Sequence, residues 1–236
     1  MSTKGNPVCV ITGGSRGIGL ATAKRFSSEG YSIVITGRNR ESLDSAVEEI
    51  ESTGKGSVIA LAGDIGDPAS RKQIIDTATD KFGSIDVLVN NAGAAPLGQF
   101  DSIEESTFES TLQTNVRAVF YLTQEAWKLM KQNSGGTIVN VSSMAAVDPF
   151  PGFSIYGAAK AWLELFTKAL AAEGADHNIR VCAVRPGAVE TDLLRGLFPD
   201  FPAEDCVQPS DIADCIFGCV KDPEKYPSGE AFTVAK

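Results

Sequence analysis

The stretch that decides the fold is Val8-Cys9-Val10-Ile11-Thr12-Gly13-Gly14-Ser15-Arg16-Gly17-Ile18-Gly19. Its first half is a short apolar run, typical of a buried parallel strand, and its second half is a glycine-rich turn. Helical periodicity follows over Gly17–Glu29 and stops at Gly30, a residue type that favours helix ends. A strand, a glycine turn and a helix in this order predict the start of an α/β fold.

The same alternation of strands and helices continues along the chain. Further strands are predicted at Ser32–Thr36, Val58–Leu61, Val87–Val89, Thr137–Val141, Ile179–Val184 and Ala231–Val234. Further helices are predicted at Arg40–Ser52, Pro68–Lys81, Ile103–Gln132 (broken in its first third), Ser154–Ala172 and Ser210–Cys219. The pattern predicts one Rossmann-like, doubly wound domain over residues 1–236, a parallel sheet of about seven strands with helices on both faces.

Length, charge and the N-terminal segment limit the classes of function. The chain has 236 residues, of which 43% are hydrophobic, enough for one sizeable core. Its net charge of −9 argues against nucleic acid and anionic membranes as partners. Met1–Pro7 is polar, and the chain contains neither a signal-peptide core nor an apolar run of about 18 residues. We therefore expect a cytoplasmic protein.

Cysteine and histidine usage disfavours metal and hydrolytic chemistry. The five cysteines are Cys9, Cys182, Cys206, Cys215 and Cys219. Cys9 and Cys182 lie in apolar strands, whereas Cys215 and Cys219 share a helix face that no further ligand completes. The single histidine, His177, lies in a polar segment and is the only imidazole available to a Ser-His-Asp hydrolase. We expect no metal site and no acyl transfer.

The glycine turn predicts a dinucleotide site. In an open parallel sheet, ligands bind beyond the carboxyl ends of the strands. With the spacing G-x-x-x-G-x-G, Gly13 permits the tight turn, Gly17 lets a pyrophosphate approach the backbone, and Gly19 allows the helix to pack closely on the sheet. The following helix N-terminus supplies amide donors and the positive end of its dipole.

The residues after the second predicted strand indicate which nicotinamide cofactor binds. An NAD site places a carboxylate there to hold the ribose hydroxyls. This chain has Thr36-Gly37-Arg38-Asn39 instead, with no acid before Glu41. Arg38, or Arg16 within the glycine turn, can pair with a 2′-phosphate, although both could also be solvated loop residues. We predict NADP(H) rather than NAD(H).

Tyr156 and Lys160 are the candidate acid/base pair. A spacing of four in the predicted helix Ser154–Ala172 puts the phenol and the ammonium on one face. A neighbouring positive charge stabilises the phenolate, so we expect Lys160 to lower the pKa of Tyr156 towards the working pH. The pair alone is a weak motif, and the rest of the chain has to support it.

Together these motifs resemble the short-chain dehydrogenase/reductase family, in its compact TGxxxGxG branch. The resemblance covers nearly the whole chain. Its elements, in order, are Thr12–Gly19, Asp64, Asn90-Asn91-Ala92-Gly93, Asn115, Ser142-Ser143, Tyr156, Lys160 and Pro186-Gly187. Extended relatives of the family typically have a TGxxGxxG turn and longer chains, so this chain resembles the compact oxidoreductase type.

The resemblance implies a catalytic set. Tyr156 would protonate the carbonyl oxygen during reduction, and Lys160 would lower its pKa and bind the nicotinamide ribose. Ser143, thirteen residues before Tyr156, would hydrogen-bond the substrate oxygen, whereas its competitor Ser142 falls off that spacing. Asn115 would lie in a helix interruption and position a water leading to Lys160.

The resemblance also implies the cofactor contacts. Asp64 and Ile65 would contact the adenine, Asn91 would secure the central strand, and Val189 and Thr191 would meet the nicotinamide carboxamide. With the glycine turn and the arginines, the predicted set is Gly13, Ser15, Arg16, Gly17, Ile18, Gly19, Arg38, Asp64, Ile65, Asn91, Ala92, Gly93, Tyr156, Lys160, Pro186, Gly187, Val189 and Thr191.

The sequence therefore predicts an NADP(H)-dependent oxidoreductase that interconverts a carbonyl and a secondary alcohol on a small-molecule substrate. One alternative is a 3-oxoacyl-thioester reductase, which would need basic residues for an acidic carrier. The predicted substrate loop, residues 185–208, offers only Arg185 and Arg195. The other alternative is a non-catalytic NADP(H)-binding regulatory protein, which would not need Tyr156.

Two departures from the family pattern concern the subunits and the substrate. The segment Ser228–Lys236 lacks the Asp-Gly-Gly turn that supports subunit packing in many members. We therefore expect either a homodimer or the homotetramer that is common in the family. The segment after Thr191 is short, which indicates a small, open lid. The expected pocket walls include Phe150, Phe153, Phe198 and Phe201. They favour an apolar or aromatic carbonyl compound.

Overall fold

The computed structural model describes residues 5–236 and contains one seven-stranded sheet. Met1–Lys4, part of the polar N-terminal segment and of the predicted domain, lie outside the described residues. The strands are β1 (Val8–Ile11), β2 (Ser32–Gly37), β3 (Val58–Ala62), β4 (Val87–Asn90), β5 (Gly136–Val141), β6 (Ile179–Pro186) and β7 (Ala231–Val234). All neighbours pair in parallel, in the order β3-β2-β1-β4-β5-β6-β7. The predicted Rossmann-like fold is confirmed.

Eight α-helices connect the strands in the described part of the chain. They are α1 (Gly17–Ser28), α2 (Arg40–Thr53), α3 (Pro68–Phe82), α4 (Glu105–Leu112), α5 (Ala118–Gln132), α6 (Ser154–Gly174), α7 (Asp192–Leu197) and α8 (Pro209–Lys221). The predicted break in the long central helix is a π-helical stretch, Gln113–Arg117, between α4 and α5. Helix α7 lies in the segment that showed no periodicity, because six residues are too few to display one. No helix within residues 5–236 is both long and apolar enough to cross a bilayer.

The five inner strands, β2, β1, β4, β5 and β6, bury side chains on both faces of the sheet. In β1, Cys9 and Ile11 belong to one core cluster, whereas Val8 and Val10 belong to the other. Residues of α1, α2 and α8 complete the first cluster, and residues of α3 and α5 complete the second. Burial on both faces explains why the strands appear in the sequence as continuous apolar runs rather than as alternating ones.

The strand order reverses between β1 and β4, which places the site. From β1 the chain proceeds outward to β2 and β3, and from β4 it proceeds the other way to β5, β6 and β7. The loops that leave β1 and β4 therefore diverge to opposite faces and open a crevice at the carboxyl edge. The glycine turn follows β1, and Asn91 follows β4, so both flank this crevice.

A buried polar network ties the central strands to the helices behind them. The Asn90 amide Nδ2 donates to Asn140 Oδ1 at 2.8 Å and to Thr123 Oγ1 at 3.0 Å. Asn140 Nδ2 donates to Thr167 Oγ1 at 2.9 Å. All four side chains are buried. Because such groups are costly to bury without partners, the network holds β4 and β5 in a defined position against α5 and α6.

Candidate active site

The glycine turn leaves room for a ligand against the N-terminus of α1. Gly13 and Gly17 have φ values of 66° and 54°, in the left-handed region that favours glycine. A Cβ atom on Gly19 would lie 2.1 Å from the carbonyl oxygen of Gly13, so only glycine lets α1 approach β1 this closely. Arg16 begins the helix without a side-chain cap. The first amide groups of α1 therefore face the crevice uncapped, as a phosphate site requires.

Hydrogen bonds join the glycine turn to the loop after β4. Thr12 Oγ1 accepts from the backbone amides of Asn91 and Ala92, each at 3.0 Å. The Asn91 side-chain Nδ2 donates to the carbonyl oxygens of Thr12 at 2.8 Å and of Gly13 at 3.1 Å. Asn91 thus lies between the ends of β1 and β4, where it can hold both walls of the crevice in place.

The two predicted phosphate-binding arginines have different surroundings. Arg38 is exposed at the end of β2, and among the described residues no hydrogen bond or ion pair engages it. The Cα of the adjacent Gly37 faces Ser15, whose Oγ would lie 3.2 Å from an added Cβ. Arg16 instead pairs with Asp192 of α7 at 3.5 Å, with both side chains largely exposed. Arg38 is therefore the freer of the two cations.

The loop after β3 holds Asp64 and Ile65 at the far end of the crevice. Asp64 is exposed, and its Oδ1 accepts from the amide of Gly66 at 2.8 Å. Ile65 is buried, and its carbonyl oxygen accepts from Arg71 Nη1 at 2.7 Å. The Arg71 guanidinium, itself buried, also bonds the Gly66 carbonyl oxygen at 2.8 Å. A fixed loop of this kind presents the Asp64 carboxylate and backbone to a ligand.

Lys160 and Asn115 meet at Gly93. A Cβ atom on Gly93 would lie 3.2 Å from Asn115 Oδ1 and 3.5 Å from Lys160 Nζ. Asn115 is buried in the π-helical stretch and exchanges two hydrogen bonds with the backbone of Ala94, at 2.8 and 2.7 Å. Lys160 Nζ donates to the Val141 carbonyl oxygen at 2.6 Å. The helix interruption predicted at Asn115 is confirmed.

Tyr156 lies half-buried beside Ser143 and Lys160. Burial raises the pKa of Tyr156, and a hydrogen bond with the Ser143 side chain partly offsets the rise. Lys160 Nζ is 5.7 Å from the centre of the Tyr156 ring. The expected lowering of the Tyr156 pKa by Lys160 is therefore wrong for the cofactor-free site, because desolvation outweighs the distant cation. Burial also lowers the pKa of Lys160 to about 8.

The two adjacent serines point to different partners. Ser143 hydrogen-bonds Tyr156 and also accepts from the amide of Ala145 at 3.2 Å. Ser142 is buried, and its hydroxyl donates to Glu164 Oε1 at 2.7 Å and to the Lys160 carbonyl oxygen at 3.4 Å. The resemblance to the family favoured Ser143, and the structure brings it to Tyr156. Sequence reasoning missed Glu164, whose only signal was its position one helical turn after Lys160.

The segment after β6 is a folded lid rather than an open loop. The amide of Gly187 donates to Val234 of β7 at 2.9 Å, and Val189 forms a parallel bridge with Val207. Thr191 Oγ1 caps α7, accepting from the amide of Leu194 at 3.3 Å. A Cβ atom on Gly17 would lie 3.2 Å from the Thr191 methyl group. The lid thus rests directly on the glycine turn.

An aromatic chain links the lid to the candidate acid/base residue. Phe198 meets Phe153 edge to face at 6.1 Å, and Phe153 packs against Tyr156 at 5.4 Å between ring centres. Phe150, which is exposed, approaches Phe153 at 6.3 Å. These rings form an apolar wall on one side of the Tyr156 phenol, consistent with the expected pocket lining.

Two concavities of the described surface lie away from Tyr156 and Ser143. One of about 290 Å³ lies between α1 and the lid, where Gly17, Leu20 and Thr191 line it. Another of about 240 Å³ lies between Ile103 and Ile155. Neither is lined by Tyr156 or Ser143. The hydrogen-bonded polar groups around Tyr156 identify the candidate site, because such an arrangement is more specific than the depth of a cleft.

Comparison with known proteins identifies the family. Residues 7–201 match the family model for short chain dehydrogenase. A 3alpha-hydroxysteroid dehydrogenase of Mediterraneibacter gnavus is 34% identical over 238 residues, 97% of this chain and 95% of that protein. The chain belongs to the short-chain dehydrogenase/reductase family of oxidoreductases.

Two solved structures of similar proteins contain nicotinamide cofactors. The L-sorbose reductase of Gluconobacter frateurii, complexed with NADPH and L-sorbose, is 28% identical, with a TM-score of 0.90 over 98% of this chain and 95% of that one. The 3-ketoacyl-(acyl-carrier-protein) reductase of Brucella melitensis, complexed with NADH, is 32% identical, with a TM-score of 0.88 over 98% of each chain. The uncapped α1 N-terminus and the cradle around Gly13, Gly17 and Gly19 fit such a cofactor in this chain.

We expect the free energy of unfolding, measured without added cofactor, to depend on pH through the lowered pKa of Lys160. Burial lowers that pKa from 10.5 in the unfolded chain to about 8, so between these values the unfolded state binds more protons and stability rises with pH. Relative to Lys160→Met, the wild type should gain about 2 kcal/mol in free energy of unfolding from about pH 8 to about pH 10. Urea unfolding across this range measures the difference.

The matched control is Lys168→Met, an exposed lysine on the same helix. Its difference from the wild type should stay constant with pH. A constant difference for Lys160→Met as well would show that the Lys160 amine is hydrated and not held in a dry site.

Proposed function

We propose that this protein is an NADP(H)-dependent oxidoreductase that interconverts a carbonyl and a secondary alcohol on a small molecule. The observation that carries the proposal is the meeting of Ser143, Tyr156, Lys160 and Asn115 at the carboxyl edge of the sheet. The loop Asn91–Gly93 connects this group to the glycine turn before α1, because Asn91 bonds the Gly13 carbonyl oxygen and Gly93 approaches Lys160. A proton donor beside a dinucleotide cradle is the combination that carbonyl reduction needs.

Each catalytic side chain has a role that its contacts support. The bound cofactor supplies the hydride. The Tyr156 hydroxyl then donates its proton to the carbonyl oxygen as negative charge develops there, and it takes the proton back in the oxidation direction. The Ser143 hydroxyl donates a hydrogen bond to the same oxygen and orients it. A neutral phenol, which its burial favours, is the form needed to start a reduction.

Lys160 and Asn115 support the proton transfer by Tyr156 without contacting the substrate. With a pKa of about 8, the Lys160 amine is mostly protonated at neutral pH yet close to releasing its proton. Its Nζ can return a proton towards Tyr156 while it holds the nicotinamide ribose. Asn115, fixed to Ala94 by two hydrogen bonds, can orient a water next to Nζ at Gly93.

The remaining cofactor contacts follow the order of the crevice. The amides after Gly17, including those of Ile18 and Gly19, take the pyrophosphate. Asp64 and Ile65 would hold the adenine end, and the loop Asn91-Ala92-Gly93 would hold the central part of the cofactor. Pro186, Gly187, Val189 and Thr191 of the lid would hold the nicotinamide end. Support for the last group comes from the contact between Thr191 and Gly17, which brings the lid to the phosphate turn.

Arg38 supports the choice of NADP(H). Its guanidinium is exposed at the edge of β2 next to Ser15 and Gly37, and no acid occupies the position that binds ribose hydroxyls in NAD sites. A free guanidinium can bind a 2′-phosphate through two charge-assisted hydrogen bonds. Arg16 would contribute less, because Asp192 competes for it. Similar structures hold NADPH in one case and NADH in another, so Arg38 carries this choice.

The contacts of the lid disfavour an acyl-carrier substrate. Arg185 pairs with Glu164, and Arg195 pairs with Glu190 at 2.7 Å while its Nη1 also bonds the Phe201 carbonyl oxygen at 2.6 Å. Neither guanidinium is free to meet an acidic carrier. The rings of Phe153 and Phe198 favour a small apolar or aromatic carbonyl compound instead. A purely regulatory cofactor-binding protein would not need Ser143 and Lys160 beside Tyr156.

We also propose that the protein is one domain that works as a homodimer or homotetramer in the cytoplasm. The outer face of α6 is apolar and exposed, and we call it the α6 strip: Ala158, Ala161, Leu165, Ala169 and Ala172. Stacked rings of Trp162 and Phe166 adjoin it. A single apolar patch of this kind suits a two-fold interface with a second copy. The five cysteines, all unpaired and buried, suit a reducing compartment.

Turnover should depend on the Tyr156 hydroxyl. In assays of NADPH consumption with aldehydes, ketones, quinones and 3-oxoacyl esters, Tyr156→Phe should lower kcat by about 100-fold or more, because the proton donor is lost. NADPH affinity, measured by fluorescence titration, should change little. Tyr121→Phe, an exposed tyrosine on α5, is the control and should keep full activity. Undiminished turnover in Tyr156→Phe would overturn the catalytic assignment.

Arg38 should determine the cofactor preference. Arg38→Leu should raise the KM for NADPH about 10- to 100-fold and leave the KM for NADH unchanged, since one charged hydrogen-bond partner is lost. Initial rates with both cofactors measure the ratio. Arg40→Leu, whose guanidinium pairs with Asp44 on α2, is the matched control. Faster turnover with NADH in the wild type would refute the NADP(H) proposal and leave the oxidoreductase intact.

The α6 strip should hold the oligomer together. Leu165 is 69% exposed in the single chain, and Leu165→Asp places a charge at the centre of the proposed interface. We expect sedimentation velocity to show a smaller species for this variant than for the wild type. Phe100→Asp, which also replaces an exposed apolar side chain but lies outside the strip, should leave the mass unchanged. A monomeric wild type would refute the proposal.

A further inference from the structure

We propose that Ser142, Glu164 and Arg185 form a positioning network that sets the geometry of the catalytic group. The inference rests on the proposed oxidoreductase function. It makes these three side chains positioning residues that would contact neither cofactor nor substrate. Ser142 Oγ donates to Glu164 Oε1 at 2.7 Å. Glu164 in turn accepts from Arg185 Nε at 2.9 Å and from Arg185 Nη2 at 2.6 Å, one bond on each carboxylate oxygen.

Three consecutive residues at the end of β5 connect this network to the catalytic group. The Val141 carbonyl oxygen accepts from Lys160 Nζ at 2.6 Å. The Ser142 hydroxyl reaches Glu164 and the Lys160 carbonyl oxygen, at 2.7 and 3.4 Å. The Ser143 side chain hydrogen-bonds Tyr156. Because the middle residue is fixed to α6 by its side chain, its two neighbours have little freedom to shift along the helix.

The network also reaches the cofactor side of the crevice. Arg185 lies in β6, directly before Pro186 and Gly187, and its Nη1 donates to Thr233 Oγ1 of β7 at 3.1 Å. One guanidinium therefore ties the helix that carries Tyr156 to the strand that leads into the lid. Any displacement of Glu164 would move α6 relative to the segment proposed to hold the nicotinamide.

The Glu164–Arg185 pair has the burial and geometry that fix a position. The side chains are only 12% and 18% exposed, unlike the exposed ion pairs on α2 and α3. A paired carboxylate and guanidinium with two parallel hydrogen bonds has one preferred arrangement. Breaking such a pair leaves an uncompensated, poorly hydrated charge, so the pair resists sliding as well as separation. Displacements of about 1 Å at a reacting group can lower rates by about 100-fold.

The test compares Ser142→Ala and Glu164→Gln with a control that breaks a buried contact between the same strand and helix. The control is Thr167→Val, which removes the hydrogen bond from Asn140 further along α6. All three variants should lose stability in urea unfolding. We expect Ser142→Ala and Glu164→Gln to lower kcat about 10-fold or more with NADPH affinity within about 2-fold of the wild type. Thr167→Val should keep the wild-type kcat per folded molecule.

A second readout does not need turnover. Incorporation of 3-fluorotyrosine gives one ¹⁹F resonance for each of the four tyrosines, and its absence in Tyr156→Phe assigns Tyr156. In Ser142→Ala and Glu164→Gln this resonance should shift and its alkaline titration midpoint should rise by about 0.5 to 1 pH unit, as the hydrogen bond from Ser143 weakens. Thr167→Val should leave both unchanged.

The two readouts separate this inference from the proposed function. Wild-type turnover that depends on Tyr156, combined with an unchanged Tyr156 resonance and kcat in Ser142→Ala and Glu164→Gln, overturns the network and keeps the enzyme. If the Tyr156 resonance shifts in Ser142→Ala and Glu164→Gln but the wild-type protein shows no turnover, the network is kept and the oxidoreductase proposal is overturned. Equal losses of kcat in Thr167→Val and Glu164→Gln would reduce the network to a general stabiliser of α6.

Discussion

The hydrogen bond from Lys160 Nζ to the Val141 carbonyl oxygen is the interaction on which the candidate site depends. It joins α6 to the end of β5 at a buried position, where an amine without a partner would be costly. Once this contact is made, the helical spacing brings Tyr156 above Lys160 and the strand brings Ser143 to Tyr156. The π-helical stretch adds Asn115, whose Oδ1 approaches Gly93 as Lys160 Nζ does.

Burial and charge act in opposite directions within this group. Desolvation holds Tyr156 protonated and lowers the pKa of Lys160 to about 8, so at neutral pH the phenol is uncharged and the Lys160 amine still carries most of its positive charge. The uncapped N-terminus of α1 and the free Arg38 supply the positive potential at the other end of the crevice.

Arg38 remains available to a ligand, whereas Arg71, Arg185 and Arg195 hold the structure. Arg185 and Arg195 each form paired hydrogen bonds with a carboxylate, the former under the catalytic helix and the latter inside the lid. Arg71 bonds two backbone carbonyl oxygens after β3. Arg38 has no such partner in the described chain. The sequence does not distinguish these arginines. Only the positions of their partners show which of them stabilise the structure and which is free to bind a phosphate.

The sequence by itself determined the order of elements and the position of the glycine turn, because apolar runs and helical periodicity are local properties. Its resemblance to the family also favoured Ser143 over Ser142, and its apolar run Ala231–Val234 indicated the last strand. Tertiary structure decided whatever depends on distance between remote segments: the Glu164–Arg185 pair, the Arg16–Asp192 contact and the folded lid. It also reversed the expected pKa shift of Tyr156, since desolvation is set by the packing around a residue and not by its neighbours in sequence.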